Sequence, residues 1–381
     1  MNGRFRSLDV LRGAAVALMI LVNNPGSWND LYGPLAHAPW HGFTPTDFVF
    51  PLFLFAVGLS LAWVMPGLRK QPPAAFWRPV LQRTLLIFLI GLVLNAAPFV
   101  RWNEAGELVL RDWGQLRFMG VLQRIALAFG IAAVVLRYGG ARGAWWSAVL
   151  LLLGYWLLCV ALGAPGDPYS LQGWFGTAWD RALLGEAHLY RGEGVPFDPE
   201  GLASTAPAVA QVLLGAWAGQ QLVGRRLDAA DAVRLFGLAA GLLLLAWAWQ
   251  LVMPINKKIW TSSYVLLTTG LALALLALCI DRIELHTPGR VLERGVRFFE
   301  AFGRNALFVF VLSGLVPRFA ALLRWRDGEA WTSPLPWTYR TFYAGLTPDA
   351  RLDSLLFAIT QLAVYALVVT AMDRRRVYIR V

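Results

Sequence analysis

The sequence predicts an all-α fold: a polytopic integral membrane helical bundle of about ten transmembrane helices, with both termini cytoplasmic. Three observations predict it. Hydrophobic residues make up 57% of the 381 residues and charged residues only 15%, with a mean hydropathy of +0.54. About ten stretches stay apolar for roughly 17–22 residues, the length of helix that crosses a bilayer core. The basic residues, finally, collect in alternate connections between those stretches. A transmembrane β-barrel would show short alternating segments instead, and that pattern is absent.

The apolar stretches run over 8–24, 47–65, 79–98, 117–138, 144–163, 202–223, 233–253, 260–280, 298–317 and 354–372. The basic start of the chain leads directly into the first, which continues to Asn23 and Asn24 without a small-residue cleavage pattern, so it reads as a retained span rather than a signal peptide. Arg69, Lys70 and Arg78 separate the second from the third, and Arg137 and Arg142 separate the fourth from the fifth. Arg225, Arg226 and Arg234 follow the sixth; Arg282, Arg290, Arg294 and Arg297 follow the eighth; Arg374, Arg375 and Arg376 follow the last. With Arg4, Arg6 and Arg380, these all fall on one side, which the positive-inside rule makes cytoplasmic. The connections 24–46, 99–116, 164–201 and 318–353 on the other side are longer and rich in Gly, Pro and Trp, as binding surfaces on loops are.

This segregation accounts for the net charge of +11 without a nucleic-acid partner. Cys159 and Cys279 both fall inside apolar stretches and read as small core hydrophobes rather than a disulfide or metal pair. No internal repeat or appended soluble segment is visible, so residues 1–381 read as a single transmembrane domain surrounded by lipid. A bacterial inner (cytoplasmic) membrane is the expected location. No stretch marks a subunit interface, which leaves a homodimer open.

Polar groups inside a span are expensive and therefore candidates for function. Asp9 and Arg12 in "SLDVLRG" are three apart and share a helical face. An ion pair snorkelling to the interface is the simpler account, and a cation awaiting an anionic ligand the functional one. Gln123 and Arg124 in "GVLQRIAL" and Arg304 and Asn305 in "FGRNALFVF" lie deeper. With only Asp9, Asp47 and Glu300 at hand as counter-charges, the arginines are expected to meet phosphates from a ligand, which guanidinium groups bind in forked geometry. Asn256 and Lys257, with Lys258, break the positive-inside trend on a short external turn.

The segment "HAPWHGFTPTDFVFP" puts two of the four histidines, and then Asp47, at the mouth of the second span. His37 and His41 would share a helical face, but Pro39 between them and Pro34 and Pro45 around them exclude a regular helix. A third ligand beyond Asp47 is missing, so no metal is expected. Crowding by Trp40, Phe43 and Phe48 suits a partly buried imidazole, the usual general base. Asp47 reads equally as a cap on the second span or as the carboxylate that orients His37.

Six blocks in order, "RSLDVLRGAAVALMILVNN", "HAPWHGFTPTDFVFPLFLFAVG", "GVLQRIAL", "FDPEGL", "PINKKIWTSSYVL" and "FGRNALFVF", resemble the heparan-α-glucosaminide N-acetyltransferase family, with its bacterial relatives, within the transmembrane acyltransferase superfamily. The resemblance implies an enzyme that passes acetyl from cytoplasmic acetyl-CoA to an amino sugar on the periplasmic or luminal side, with glucosamine as the type of acceptor. It implies His37 as the essential histidine and matches Asn23 to the polar residue after the first span. His41 has no counterpart there, and the glycine-rich stretch of the lysosomal relative is replaced by "VNNPG".

That chemistry makes His37 the general base, Asn23 a donor to the oxyanion and Asp47 the orienting carboxylate. Asp9, Arg12, Gln123, Arg124, Asn256, Lys257, Arg304 and Asn305 are then candidates for holding acetyl-CoA. Direct transfer and an acetyl-His37 intermediate both remain open. Two rivals stand beside this reading: an O-acetyltransferase of envelope glycans, and a sugar or anion transporter, although the inverted repeats and paired broken spans of transporters are not visible.

Overall fold

A computed structural model of the chain describes residues 5–379. Arg4 and Arg380, counted above toward the basic side, lie outside the described residues. In chain order the elements are α1 (Arg6–Asn23), α2 (Val49–Arg69), α3 (Pro73–Ala96), β1 (Val100–Trp102), β2 (Leu108–Leu110), α4 (Val121–Leu162), α5 (Phe175–Leu184) and α6 (Thr205–Gln220). There follow α7 (Ala229–Trp249), α8 (Ser262–Cys279, continued by a π turn Ile280–Leu285), α9 (Arg290–Arg304), α10 (Ala306–Ala320), β3 (Trp325–Asp327), β4 (Ala330–Thr332), α11 (Pro334–Phe342) and α12 (Ala350–Arg374).

All ten apolar stretches fall on helices. Among the described residues, six helices are long and apolar enough to cross a membrane unaided, or seven with the bent pair α9–α10. The count differs from ten for physical reasons. The stretches 117–138 and 144–163 fall on two helices that follow one another across a kink at Gly140 (φ 60°, ψ −152°) within α4. That left-handed value is open to glycine and strained for other residues. Arg137 meanwhile donates to the carbonyls of Leu68, Arg69 and Gln71, so the break in α4 is bonded to the end of α2. α6 has 16 residues, and α1 carries Arg6, Asp9 and Arg12 within its 18.

The stretch 298–317 is not one straight helix. It bends by 77° at Asn305. Asn305 has non-helical dihedrals, and its side chain donates to the Val377 carbonyl and accepts from the Ile379 N–H. The Asn305 side chain thus ties the bend to the C-terminal segment.

Burial sorts the helices. In α2 and α8, 72% of the membrane-length window is buried, against 22–28% in α3, α4, α7 and α12. α2, α6 and α8 form the inner set, and the others turn leucines such as Leu81, Leu85 and Leu244 outward, where lipid takes the place of protein. Inner helices approach closely through small residues: a Cβ on Gly58 of α2 would lie 1.9 Å from the Val212 carbonyl oxygen of α6, and one on Gly215 would lie 2.2 Å from that of Phe55.

The expectation of an all-α chain misses two hairpins. β1 pairs antiparallel with β2 in the connection after α3, and β3 with β4 in that after α10. Both, with α5 and α11, belong to the long connections, whose turn residues mask strands of three residues. These connections gather at the end of the bundle where α1 finishes and α2 begins. The opposite end ties the start of α1 to α8 and α9 through Arg6 with Glu293 and Glu300, and Ser7 with Glu284.

Candidate functional site

The prolines do what the sequence predicts for 37–51. Single 3₁₀ turns occupy Gly33–Leu35 and Pro45–Phe48, with irregular chain between them. Thr44 and Asp47 form a reciprocal capping box at the second turn. Asp47 is therefore not the cap itself; it is the third residue of the turn, and its carboxylate reaches back.

That carboxylate is buried, with 1% of its side chain exposed, and organises the segment. Its Oδ2 accepts from the N–H groups of Ala38 and Thr44 at 3.1 and 3.0 Å. Its Oδ1 lies 2.7 Å from His37 Nδ1. The Asp47 backbone carbonyl in turn accepts from the Tyr264 hydroxyl at 2.6 Å, fixing the turn to the inner helix α8. An ionised carboxylate only accepts hydrogen bonds, so Nδ1 carries the proton of this bond. The two expected roles of Asp47 coexist in one side chain.

His37 is 44% exposed, so its free nitrogen can be reached. Lys257 reaches it from the turn between α7 and α8. Its Nζ lies 3.0 Å from Nδ1 and 3.1 Å from Nε2. A point equidistant from both ring nitrogens is in line with neither, so the amine sits against the ring face. Lys257 Nζ is also 3.7 Å from Asp47 Oδ1. Burial lowers the Lys257 pKa below the usual lysine value, and the nearby Asp47 and Glu200 carboxylates oppose the shift only in part.

The neighbouring turn residues hold this arrangement. Asn256 is fully buried; its N–H donates to Thr261 Oγ1, its Oδ1 accepts from the Ile259 N–H and its Nδ2 faces His41 Nδ1 at 3.3 Å. Burial also lowers the His41 pKa. Lys258, an interface anchor by position alone, pairs with Glu193 at 2.6 Å. Trp40 donates to the Tyr169 carbonyl and packs on Phe197, which contacts Trp174. Four stretches distant in sequence thereby close on one another around His37.

Behind the turn lies a second polar layer that spacing alone does not reveal. Arg117 grips Asp198 through two bonds of 2.8 and 2.6 Å and Glu200 through one of 2.6 Å. Burial pulls the Arg117 pKa down, but these carboxylates outweigh it and leave it raised. Burial pushes Glu200 upward, yet Arg117, Arg124 and Lys257 hold it below the ordinary glutamate value. Asp180 on α5 accepts from the Ala203 N–H through Oδ1, while Oδ2 is buried without a partner. Burial raises its pKa to about 6. The block "FDPEGL" was the only sequence signal for this layer.

Several of the residues expected to hold acetyl-CoA have protein partners. Arg124 is fully buried; it donates to the Pro199 and Gly201 carbonyls and to the Ser204 hydroxyl, and lies over the Trp260 ring at 4.9 Å. Gln123 is buried beside Gly91 and Gly120. Arg304 pairs with Asp373 at 2.7 Å and with Glu300 at 3.3 Å. Asn305 is bonded to the C-terminal segment. Arg304 finds a counter-charge in Asp373, from a distant part of the chain, whereas Arg124 forms no ion pair among the described residues and keeps Nε and Nη1 buried without a hydrogen-bond partner. Arg12 pairs with Asp9 at 2.8 Å and remains a quarter exposed.

Asn23 is exposed at the end of α1 and lines a cleft of about 310 Å³ with Asn24, Trp28, Ser333 and Gln361. Neither His37 nor Asp47 is among the residues of its wall.

A family model described as heparan-alpha-glucosaminide N-acetyltransferase, catalytic, matches residues 4–180. That interval carries Asn23, His37, Asp47 and Arg124 and ends before Asn256 and Lys257. Two curated relatives, the heparan-alpha-glucosaminide N-acetyltransferases of Homo sapiens and Mus musculus, are each 27% identical to the chain. The alignments cover 81% of this chain and 52% and 53% of theirs. The chain thus spans about half the length of the curated relatives it matches.

Proposed function

Starting from a chain that is a relative of the heparan-α-glucosaminide N-acetyltransferases, we propose that it is a transmembrane N-acetyltransferase that moves acetyl from acetyl-CoA to a glucosamine-type amine. The single observation that carries the reading is the His37 imidazole, held through Nδ1 by a buried carboxylate, half-exposed, and met by Lys257 Nζ 3.1 Å from Nε2. A base so oriented suits an acceptor that must lose a proton as it attacks.

The acceptor amine adds to the thioester carbonyl carbon, and its proton passes to His37 Nε2. Asp47 stabilises the imidazolium that results and keeps Nδ1 protonated throughout. The oxyanion of the tetrahedral intermediate forms beside the Lys257 ammonium, a fixed positive charge in a partly water-excluded position. Collapse breaks the carbon–sulfur bond, and the CoA thiolate leaves with the proton from Nε2. Asn23 belongs to the acceptor side: with Asn24, Gln361 and the exposed Trp28 it lends the cleft amide and aromatic groups suited to a sugar.

Acetyl-CoA approaches from the end of the bundle where α1 and α3 begin. The arginines concentrated there make it the cytoplasmic end by the positive-inside rule, with both termini on that side and all ten apolar stretches spanning a bacterial inner membrane. His37 then faces the periplasm.

The test is transfer of labelled acetyl from acetyl-CoA to glucosamine by purified protein, beside His37→Ala. Product from the wild type alone is expected. Equal product from both would remove His37 from the mechanism, and a wild type that binds CoA without acetylating glucosamine would remove the acceptor.

A further inference from the structure

Of the two histidines in the segment before α2, the proposed chemistry uses only His37. His41 is exposed, yet the chain on either side of it is clamped. Trp40 donates its indole N–H to the Tyr169 carbonyl at 2.9 Å. The Gly42 N–H donates to the Ile255 carbonyl at 2.8 Å, and Gly42 holds φ +110°, a value that strains any residue with a Cβ. Between these anchors the imidazole lies edge-on to the Trp40 ring, with centroids 6.4 Å apart. The backbone of His41 is thus fixed while its side chain stays open to solvent.

The contacts also fix where its proton sits. Asn256 is fully buried, and its Oδ1 accepts from the Ile259 N–H at 3.1 Å. That bond leaves the amide nitrogen to face His41, and Nδ2 has only hydrogens to offer Nδ1 at 3.3 Å. Nδ1 therefore accepts, the imidazole is neutral, and its one N–H is on Nε2. Burial favours the same neutral form and outweighs Asp167, the charged group that acts on the ring from the connection after α4. His37 is held the opposite way, with its Nδ1 proton given to Asp47. The two rings are met by adjacent residues of one turn: Asn256 meets His41, and Lys257 meets His37. Neighbouring Cα atoms are about 3.8 Å apart, so both imidazoles belong to one site.

We propose that His41 is a specificity residue for the acceptor: a neutral Nε2–H donor that hydrogen-bonds a ring oxygen of the amino sugar whose amine reaches His37. The role toward the acceptor rests on the acetyl-transfer reading; the tautomer does not. His41 is no second base, because Asn256 already engages the lone pair that would take a proton. A neutral donor suits a sugar hydroxyl, and it adds no further positive charge against the ammonium in which an amino sugar arrives.

The experiment compares wild type, His41→Phe and His41→Gln, purified in detergent. Phenylalanine keeps a flat ring and removes the donor, whereas glutamine offers an N–H at similar reach. Calorimetry measures binding of glucosamine and of cyclohexylamine, an amine on a ring without hydroxyls, and steady-state rates give KM for glucosamine and for acetyl-CoA. Nitrogen-15 shifts of labelled histidine report the tautomer, with the His41 signals assigned by their loss in His41→Phe. Losing one neutral hydrogen bond predicts glucosamine binding weaker by about three- to tenfold in His41→Phe, with KM for glucosamine raised to match. The preference for glucosamine over cyclohexylamine should shrink by the same factor, His41→Gln should recover part of it, and KM for acetyl-CoA should move little. The shifts should show Nδ1 bare and Nε2 protonated at neutral pH. A proton on Nδ1 of His41, or an unchanged sugar preference in His41→Phe, overturns the proposal and leaves the transferase reading standing wherever the wild type transfers acetyl. Glucosamine binding that weakens in His41→Phe, without acetyl transfer by the wild type, supports the site and sinks the transferase reading. A wild type that neither binds nor acetylates glucosamine overturns both.

Discussion

Lys257 lies 220 residues from His37 in the chain and 3.0 Å from its ring. Its nitrogen is against the imidazole face, 3.7 Å from the carboxylate that holds the same imidazole from its edge. One ring is therefore fixed by an anion in its plane and shadowed by an amine over its face.

Asp47→Asn keeps the size of the side chain but allows the amide to present a donor to His37. The wrong tautomer then becomes available, and kcat should fall by about 10²- to 10⁴-fold with KM for acetyl-CoA little changed. Steady-state rates decide it; a kcat within threefold of wild type would reduce Asp47 to its part in the turn.

Lys257 is needed as an ammonium in the proposed mechanism. Because its pKa is lowered by burial, the charge is lost at a lower pH than an ordinary lysine would lose it, and kcat should decline on the alkaline side accordingly. Lys257→Arg keeps the charge, so its alkaline limb should move to higher pH, and Lys257→Met should lose the limb along with most of kcat. Superimposable pH profiles for wild type and Lys257→Arg would contradict the assignment.

Direct transfer requires both substrates together. Initial-rate plots should intersect, and no acetyl-His37 should be found by mass spectrometry after incubation with acetyl-CoA alone. Parallel plots with an acetylated His37 peptide would establish the two-step route.

Asp180 titrates near pH 6 in the folded protein against an ordinary 3.8. The folded state binds this proton more tightly, so stability from this group is greatest at low pH and declines as pH rises through 6. Asp180→Asn removes the dependence. The melting-temperature difference between variant and wild type in detergent should grow in the variant's favour from pH 4 to pH 8, and a constant difference would show that Asp180 is not the titrating group.

Arg124→Lys separates a structural arginine from a ligand-binding one. Lysine lacks the planar guanidinium that lies over Trp260 while Nη2 meets the Pro199 carbonyl and the Ser204 hydroxyl, so the melting temperature should drop, corresponding to a cost of about 1–3 kcal/mol. Affinity for CoA should stay near the wild-type value. A large loss of CoA affinity without loss of stability would return Arg124 to the donor path.

Much of this was legible from local pattern. Apolar length located the helices, and Pro34, Pro39 and Pro45 kept 37–51 out of regular helix while Asp47 stayed within reach of His37. Local pattern stops where a partner comes from far along the chain. Arg304 looked unpaired because Asp373 is 69 residues away, and Arg124 because Pro199 is 75 residues away. Lys258 looked like a boundary lysine for the same reason, since Glu193 is 65 residues away. The bend at Asn305 was hidden because its side chain bonds to the C-terminal segment, and hydropathy does not register a hydrogen bond.

The Trp40, Lys258 and Asn256 contacts have a consequence for redesign. The rim around His37 is an interlocked set: residues 37–44 are seated on the Tyr169–Phe197 connection and on the turn 255–261. Exchanging any one of these pieces with a relative, to change the acceptor, would strand the other two without their anchoring surfaces. Grafts that retune this protein will need to carry all three together, as a single exchangeable part.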